Sequence, residues 1–204
     1  RVGGTDFDRL FSLAQVMPEL GFGSQVRRTG LPVPSSYFHD LATWQSINLL
    51  YGPKILREIE EVRREAARPD LIGRLLSVLS EERGHTLAME VEGAKIALSD
   101  AEAASIPLGW LEPGLSVAAD RAGLGAATGR LVDRMRATVE GCIRDAGLAS
   151  GDIDAVFLTG GSTRLGHARA AILGAVPDAR VVEGDTFGSV GTGLAIEARR
   201  RYGG

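Results

Sequence analysis

The chain has 204 residues, 44% of them hydrophobic and 24% charged, with a formal net charge of −3. That is enough apolar content for one or two modest domains, and it excludes a disordered chain, a collagen and a disulfide scaffold. The single cysteine, Cys142, cannot close an intrachain bridge, no apolar run approaches membrane-spanning length, and the mild acidity argues against nucleic acid as the main partner.

In chain order, Gly3-Gly4 leads into Thr5, with Asp8 three residues on as a capping-box variant, and the spacing of Phe7, Leu10, Phe11, Ala14 and Met17 predicts a helix to about Pro18. Residues 21–34 are dense in Gly, Pro, Ser and Thr and read as a long surface loop. Helices are predicted over 41–50 and 53–68, the latter with Ile55, Leu56, Ile59 and Val62 on one face. The stripe Leu71, Ile72, Leu75, Leu76, Leu79 predicts one longer helix from Leu71 to about Leu98. These stripes read as core packing. Two short β-like pieces, 104–111 and 115–119, flank Glu112-Pro113-Gly114 as a hairpin. A helix over 123–147 follows, then the apolar strand Ala155–Thr159, a helix over 165–173, a strand near 179–182, and a Gly-rich helix after Asp185. The second part is α/β layering and the first is mostly helical.

Three segments carry candidate chemistry. The turn Thr159-Gly160-Gly161-Ser162-Thr163-Arg164 follows a buried strand. Its glycines allow a sharp turn and close ligand approach, its hydroxyls and N–H groups can face a polar or anionic group, and Arg164 can stack on a base. A tight turn with capping hydroxyls is the bland alternative. The turn has neither the spacing of a Walker A loop nor that of a dinucleotide fingerprint. Glu92, Lys95 and Ser99 sit at i, i+3 and i+7, which points all three from one helix face, suited to ribose hydroxyls and a base edge. An exposed Glu–Lys pair is the plain alternative. Against it, the chain has only two lysines, Lys54 and Lys95, among 23 basic residues, so a flexible ammonium at 95 stands out. The third segment is Asp185, an N-cap residue ahead of Gly188, Gly191 and Gly193, whose glycines imply close backbone packing or ligand approach. His39, His85 and His167 are scattered, and no Cys/His cluster has metal-ligand spacing. The Arg199–Arg201 run reads as a solvated helix end.

In order and spacing these segments resemble the DnaK-type, seventy-kilodalton heat-shock chaperones of the actin-like ATPase superfamily. Gly3-Gly4-Thr5-Asp6-Phe7-Asp8 resembles the family's G-G-x-D-F-D, residues 92–99 match E-x-A-K-x-x-L-S, and Val156–Arg164 is similar to V-x-L-x-G-G-S-T-R. The implied fold is α/β: half of an actin-like ATPase domain, a ribonuclease-H-like lobe with a mainly helical inserted subdomain. Residues 1–121 would form the helical upper subdomain with its hairpin, and 122–204 the α/β lower subdomain. The resemblance implies an ATP or ADP site whose adenosine side uses Gly4, Glu92, Lys95, Ile96, Ser99, Gly160, Gly161, Ser162, Arg164 and Asp185. Ile96 departs from the family's usual arginine, so an apolar surface replaces one stacking cation. Residues 21–51 fit the ordinary chaperones poorly and suggest a divergent bacterial branch.

The family's phosphate loops, phosphoryl-transfer lysine and Mg²⁺-associated aspartates are expected in a half preceding Arg1. The parent is then a slow cytoplasmic ATPase with a stress-response role, and this chain alone is not expected to hydrolyse ATP. The helical subdomain is the expected docking surface for an exchange factor or another protein. Two other functions fit the same residues: a nucleotide-gated interaction module without chaperone activity, and part of a small-molecule kinase of the superfamily.

Overall fold

The computed structural model describes residues 2–184 and 188–202. They form eight helices and two small sheets and divide into two compact units. One unit is Thr5–Thr128; the other takes residues 2–4 together with the described residues from Gly129 onward. Helix and strand are therefore mixed, as the sequence leads one to expect.

In the Thr5–Thr128 unit, α1 (Gly4–Gln15) buries Phe7 and Phe11. A 3-10 turn over Met17–Leu20 follows, closed at Gly21 with φ +100°. Thr5 lies inside the first turn of α1 rather than ahead of it, so the expected capping box is not the role of Asp8. The loop over 21–34 is tied down: Gln25 bridges Pro32, and Val26 bridges Ala66. The helix expected over 41–50 is instead α2 (Ser36–Leu41) followed by a 3-10 turn, Ile47–Tyr51. Helix α3 (Pro53–Glu65) packs on α4 (Pro69–Ser80), which buries Ile72, Leu75, Val78 and Leu79.

The single helix expected from Leu71 to Leu98 is two. After α4 the Glu82 N–H reaches the Leu79 carbonyl (3.1 Å) and the Arg83 N–H reaches the Val78 carbonyl (2.8 Å), with Glu82 at φ +54°. This is a Schellman stop built on glutamate where glycine is usual, so composition does not announce it. Tyr51 braces the break: its hydroxyl donates to the Glu82 carbonyl and accepts from the Gly84 N–H (3.2 and 3.1 Å). Helix α5 (Gly84–Asp100) then starts afresh. A Cβ on Gly84 would lie 2.5 Å from Ile47 Cγ2 and 2.9 Å from the Tyr51 hydroxyl, so close packing requires the glycine. The hairpin forms as expected: β1 (Ala103–Pro107) pairs antiparallel with β2 (Ser116–Asp120), Ala103 opposite Asp120 and Pro107 opposite Ser116.

Helix α6 (Arg121–Asp145) gives its residues up to Thr128 to this unit and the rest to the other. In that second unit, β3 (Ala155–Leu158) and β4 (Arg180–Glu183) pair in parallel, Ala155 with Arg180 and Leu158 with Glu183. Helix α7 (Gly166–Ala175) connects them and buries Ala168, Ile172 and Ala175. Helix α8 (Ser189–Tyr202) follows. Gly191 and Gly193 in α8 are exposed, and a Cβ on either would meet nothing within 4 Å. The expectation of close backbone packing at those two positions is therefore corrected: both glycines face open space.

Candidate functional site

The segment 92–99 lies on α5. The inward stripe of this helix is Leu87, Val91, Ala94, Lys95 and Leu98, which leaves Glu92, Gly93, Ile96 and Ala97 exposed and Ser99 half-buried. The expectation of Glu92, Lys95 and Ser99 on one shared face needs correction at Lys95. This side chain turns inward, and the residue is 7% exposed. Its Nζ lies 2.7 Å from Oδ1 of Asp8 on α1. The reason is electrostatic: Asp8 is largely enclosed, and an enclosed carboxylate needs a cation or must take up a proton. Burial pushes the Asp8 carboxyl above its ordinary range, the Lys95 hydrogen bond and charge pull it back, and the Glu92 charge pushes it up again. The pair ties α1 to α5.

The last turn of α5, which carries Ser99, is fixed from outside the helix. Arg121 Nε donates to the Leu98 carbonyl (2.8 Å) and its Nη2 to the Ser99 carbonyl (3.0 Å), while its Nη1 pairs with Glu102. The carbonyls that a helix end leaves without partners are thereby satisfied. Arg121 and Asp8 are both supporting residues that the sequence reasoning missed. Asp8 appears there only as a cap and a motif letter; a partner 87 residues away leaves no spacing signal.

The second segment, in the other unit, is the turn after β3. Gly160 takes φ +88°, a conformation natural to glycine, and a Cβ there would meet nothing within 4 Å. A 3-10 turn, Gly161–Arg164, follows, so α7 begins only at Gly166. The Thr163 hydroxyl donates to the Gly160 carbonyl (2.7 Å) and is occupied by the turn itself. Gly4 is brought close to Ser162: a Cβ on Gly4 would sit 3.5 Å from the Ser162 Oγ. Arg164 is exposed. Gly184 is a further requirement the sequence reading did not single out. Its N–H donates to the Leu158 carbonyl (3.1 Å), and a Cβ on it would collide with the Phe157 ring. Asp185 lies outside the described residues.

Each segment presents open polar or apolar surface of its own. Glu92 offers an exposed carboxylate to hydroxyls, Ile96 is a 52% exposed apolar surface, and the backbone at Gly93 and Gly160 is open. Among the described residues no group of three or more His, Cys, Asp or Glu side chains is arranged to hold a metal ion. No helix among them is long and apolar enough to cross a membrane.

Residues 79–198, more than half of the chain, match the family model described as Hsp70 protein. The chain belongs to the Hsp70 family. The matched stretch of this Hsp70-family chain contains both residues 92–99 and the turn at 160–164, whereas Gly4 and Asp8 precede it. Over 116 residues it is 36% identical to a chaperone protein HscA homolog of Chromobacterium violaceum, covering 56% of this chain and 18% of that relative. Over 85 residues it is 35% identical to the chaperone protein DnaK of Prochlorococcus marinus, covering 39% of this chain and 13% of that relative. The match thus spans under a fifth of the length of these curated relatives.

Proposed function

We propose that this chain contributes adenosine-contacting surfaces to the ATP or ADP site of a chaperone-type ATPase. The observation that carries the reading is the turn at 160–164: a left-handed glycine and an open backbone directly after a buried strand end, in a chain of this family. In this reading Gly160 and Gly161 let the nucleoside approach the backbone without a Cβ in the way. Ser162 and Arg164 offer a hydroxyl and a planar cation to the ribose and base. On α5, Ile96 lies against the base through apolar contact, and Glu92 and Ser99 bind ribose hydroxyls. Asp185 belongs to the same set through the family resemblance alone.

The bound ATP would supply the phosphoanhydride bond whose hydrolysis drives the chaperone cycle. The residues named above bind and orient its nucleoside end; none of them is assigned a proton or phosphoryl transfer. Positioning of a γ-phosphate and Mg²⁺ is assigned to no residue of this chain. The chain alone is therefore expected to show no Mg²⁺-dependent turnover of ATP, and turnover abolished by Lys95→Ala would overturn this division of labour. Gly161→Val or Arg164→Ala is expected to lower ADP affinity by about tenfold, on the order of one charge-assisted contact. Calorimetric titration that finds ADP affinity unchanged in both variants would remove the turn from the site.

A further inference from the structure

The segment 24–33 carries none of the residues assigned to the nucleoside, and it precedes the stretch that matches the family model. It is built as a pinned tip. On one side the Arg27 N–H donates to the Glu65 carbonyl (2.8 Å) and the Ala67 N–H to the Gln25 carbonyl (2.7 Å). On the other the Val26 N–H donates to the Leu31 carbonyl (2.8 Å) and the Val33 N–H to the Ser24 carbonyl (2.9 Å). Gly30, at φ +67°, turns the chain between them, and buried Val33 and Ala66 anchor the tip to its unit. Beyond these anchors Arg27, Arg28, Thr29 and Pro32 are exposed, and Leu31 is 64% exposed.

The tip holds side chains that nothing within the unit uses. Elsewhere in the unit Arg63, Arg64, Arg68, Arg74 and Arg121 each hold a carboxylate. Among the described residues Arg27 and Arg28 form no ion pair, and Glu65, opposite Arg27 across the pairing, binds neither guanidinium. Leu31 is kept in water by a backbone whose hydrogen bonds hold it in place. Addition of a further strand is not the mode of recognition, because Pro32 on the outer segment has no N–H to offer. Recognition falls to the side chains.

We propose that this tip docks an acidic, extended segment of a partner protein that carries an apolar side chain beside its carboxylates. Arg27 and Arg28 bind the carboxylates, for which the planar guanidinium fork is suited, and Leu31 receives the apolar side chain. The pinned backbone lowers the cost of ordering the tip on binding. Two guanidiniums on a chain of net charge −3 make a local attraction rather than an extended basic surface, which favours a protein segment over a nucleic acid.

The test is fluorescence anisotropy of the chain with a labelled peptide of acidic residues around one leucine, beside a version whose acids are replaced by their amides. The acidic peptide is expected to bind about tenfold more tightly than the amide version, with an affinity that falls as salt rises. Arg28→Glu should weaken it about tenfold. Arg136→Glu changes the net charge equally but lies on α6 in the other unit, and it should change the affinity less than about twofold. Leu31→Ser should weaken binding about threefold to tenfold without altering the salt dependence. Because Arg28 and Leu31 are exposed, both variants should melt as the unaltered chain does. Equal binding of the acidic and amide peptides overturns the proposal, as does equal weakening by the two charge reversals or an unchanged affinity in Leu31→Ser. Tighter binding of a single-stranded oligonucleotide or of phosphatidylserine vesicles than of the acidic peptide overturns the partner class.

Discussion

The Thr5–Thr128 unit holds the largest fully buried side chains, among them Phe7, Phe11, Met17, Leu20, Phe38, Ile47 and Ile59, although it also leaves Leu31, Leu49 and Met89 exposed. The unit built from residue 129 onward leaves comparable side chains in the open, with Phe157 57%, Ile196 63% and Leu194 67% exposed. Its sheet is two parallel strands, a type of pairing normally covered on both faces. The candidate residues differ in the same way. On α5 the charged group is withdrawn and held by Asp8, whereas the turn at 160–164 is open backbone with an exposed arginine. The lesson is that the most deeply enclosed supporting contacts lie in the helical unit, so substitutions of its buried residues should act through packing, and those of the exposed candidate residues in either unit through the ligand.

The largest test of that contrast is truncation of matched apolar residues. Phe11→Ala should cost about 3–5 kcal/mol, as for a fully buried aromatic, and Ile196→Ala no more than about 0.5 kcal/mol. Denaturant unfolding measures both, and equal losses would break the contrast. Next come two glycines that are special for different reasons. Gly84→Ala drives a methyl into Ile47 and Tyr51 and should destabilise by about 1–3 kcal/mol, with the Tyr51 bridge disturbed. Gly160→Ala meets no neighbour, so its cost comes from the backbone alone (φ +88°, ψ +148°, a conformation open essentially to glycine), about 1–3 kcal/mol. Thermal melts of both variants check this, and an unchanged melting temperature in either would contradict it.

A smaller effect lies in pH dependence, where two carboxylates of the helical unit should act with opposite sign. The Arg68 guanidinium holds the exposed Asp70 carboxyl down, from an ordinary 3.8 to about 2. Its contribution is present above the ordinary value and is lost as pH falls through about 2. Burial pushes Asp8 up from 3.8, so its contribution is greatest below that value and is lost as pH rises through the raised one. Thermal melts of Asp70→Asn between pH 2 and 6 should lose the acid-side decline. The same slope in the variant would show that Asp70 is not its source. The smallest expected change is Ile96→Arg, which returns a stacking cation to α5 and should tighten adenosine binding about two- to fivefold. Titration of the variant measures it, and no gain would place the base away from residue 96.

Much of the fold was legible because local chemistry and burial agree. The Ile55–Ile59 stripe marks α3, Glu112-Pro113-Gly114 marks the hairpin, and the apolar run 155–158 followed by two glycines marks the strand and its turn. What escaped the sequence lacked a local signature. The break between α4 and α5 is made by Glu82 in a glycine-like conformation and braced by Tyr51, far upstream, while the apolar stripe runs on across it. The inward turn of Lys95 depends on Asp8, and the fixing of Ser99 depends on Arg121; neither distance along the chain can be read as a period. The residue types at 92, 95, 96 and 99 were visible as a site motif. Which of them face solvent was decided by packing.

The most direct measurement is titration of the chain with adenosine, ADP and ATP under one set of conditions. If the chain holds the nucleoside end alone, the three affinities should be weak and alike, because the phosphates add no contact. Saturable binding that strengthens steeply from adenosine to ATP, or no binding of any of the three, would contradict the account.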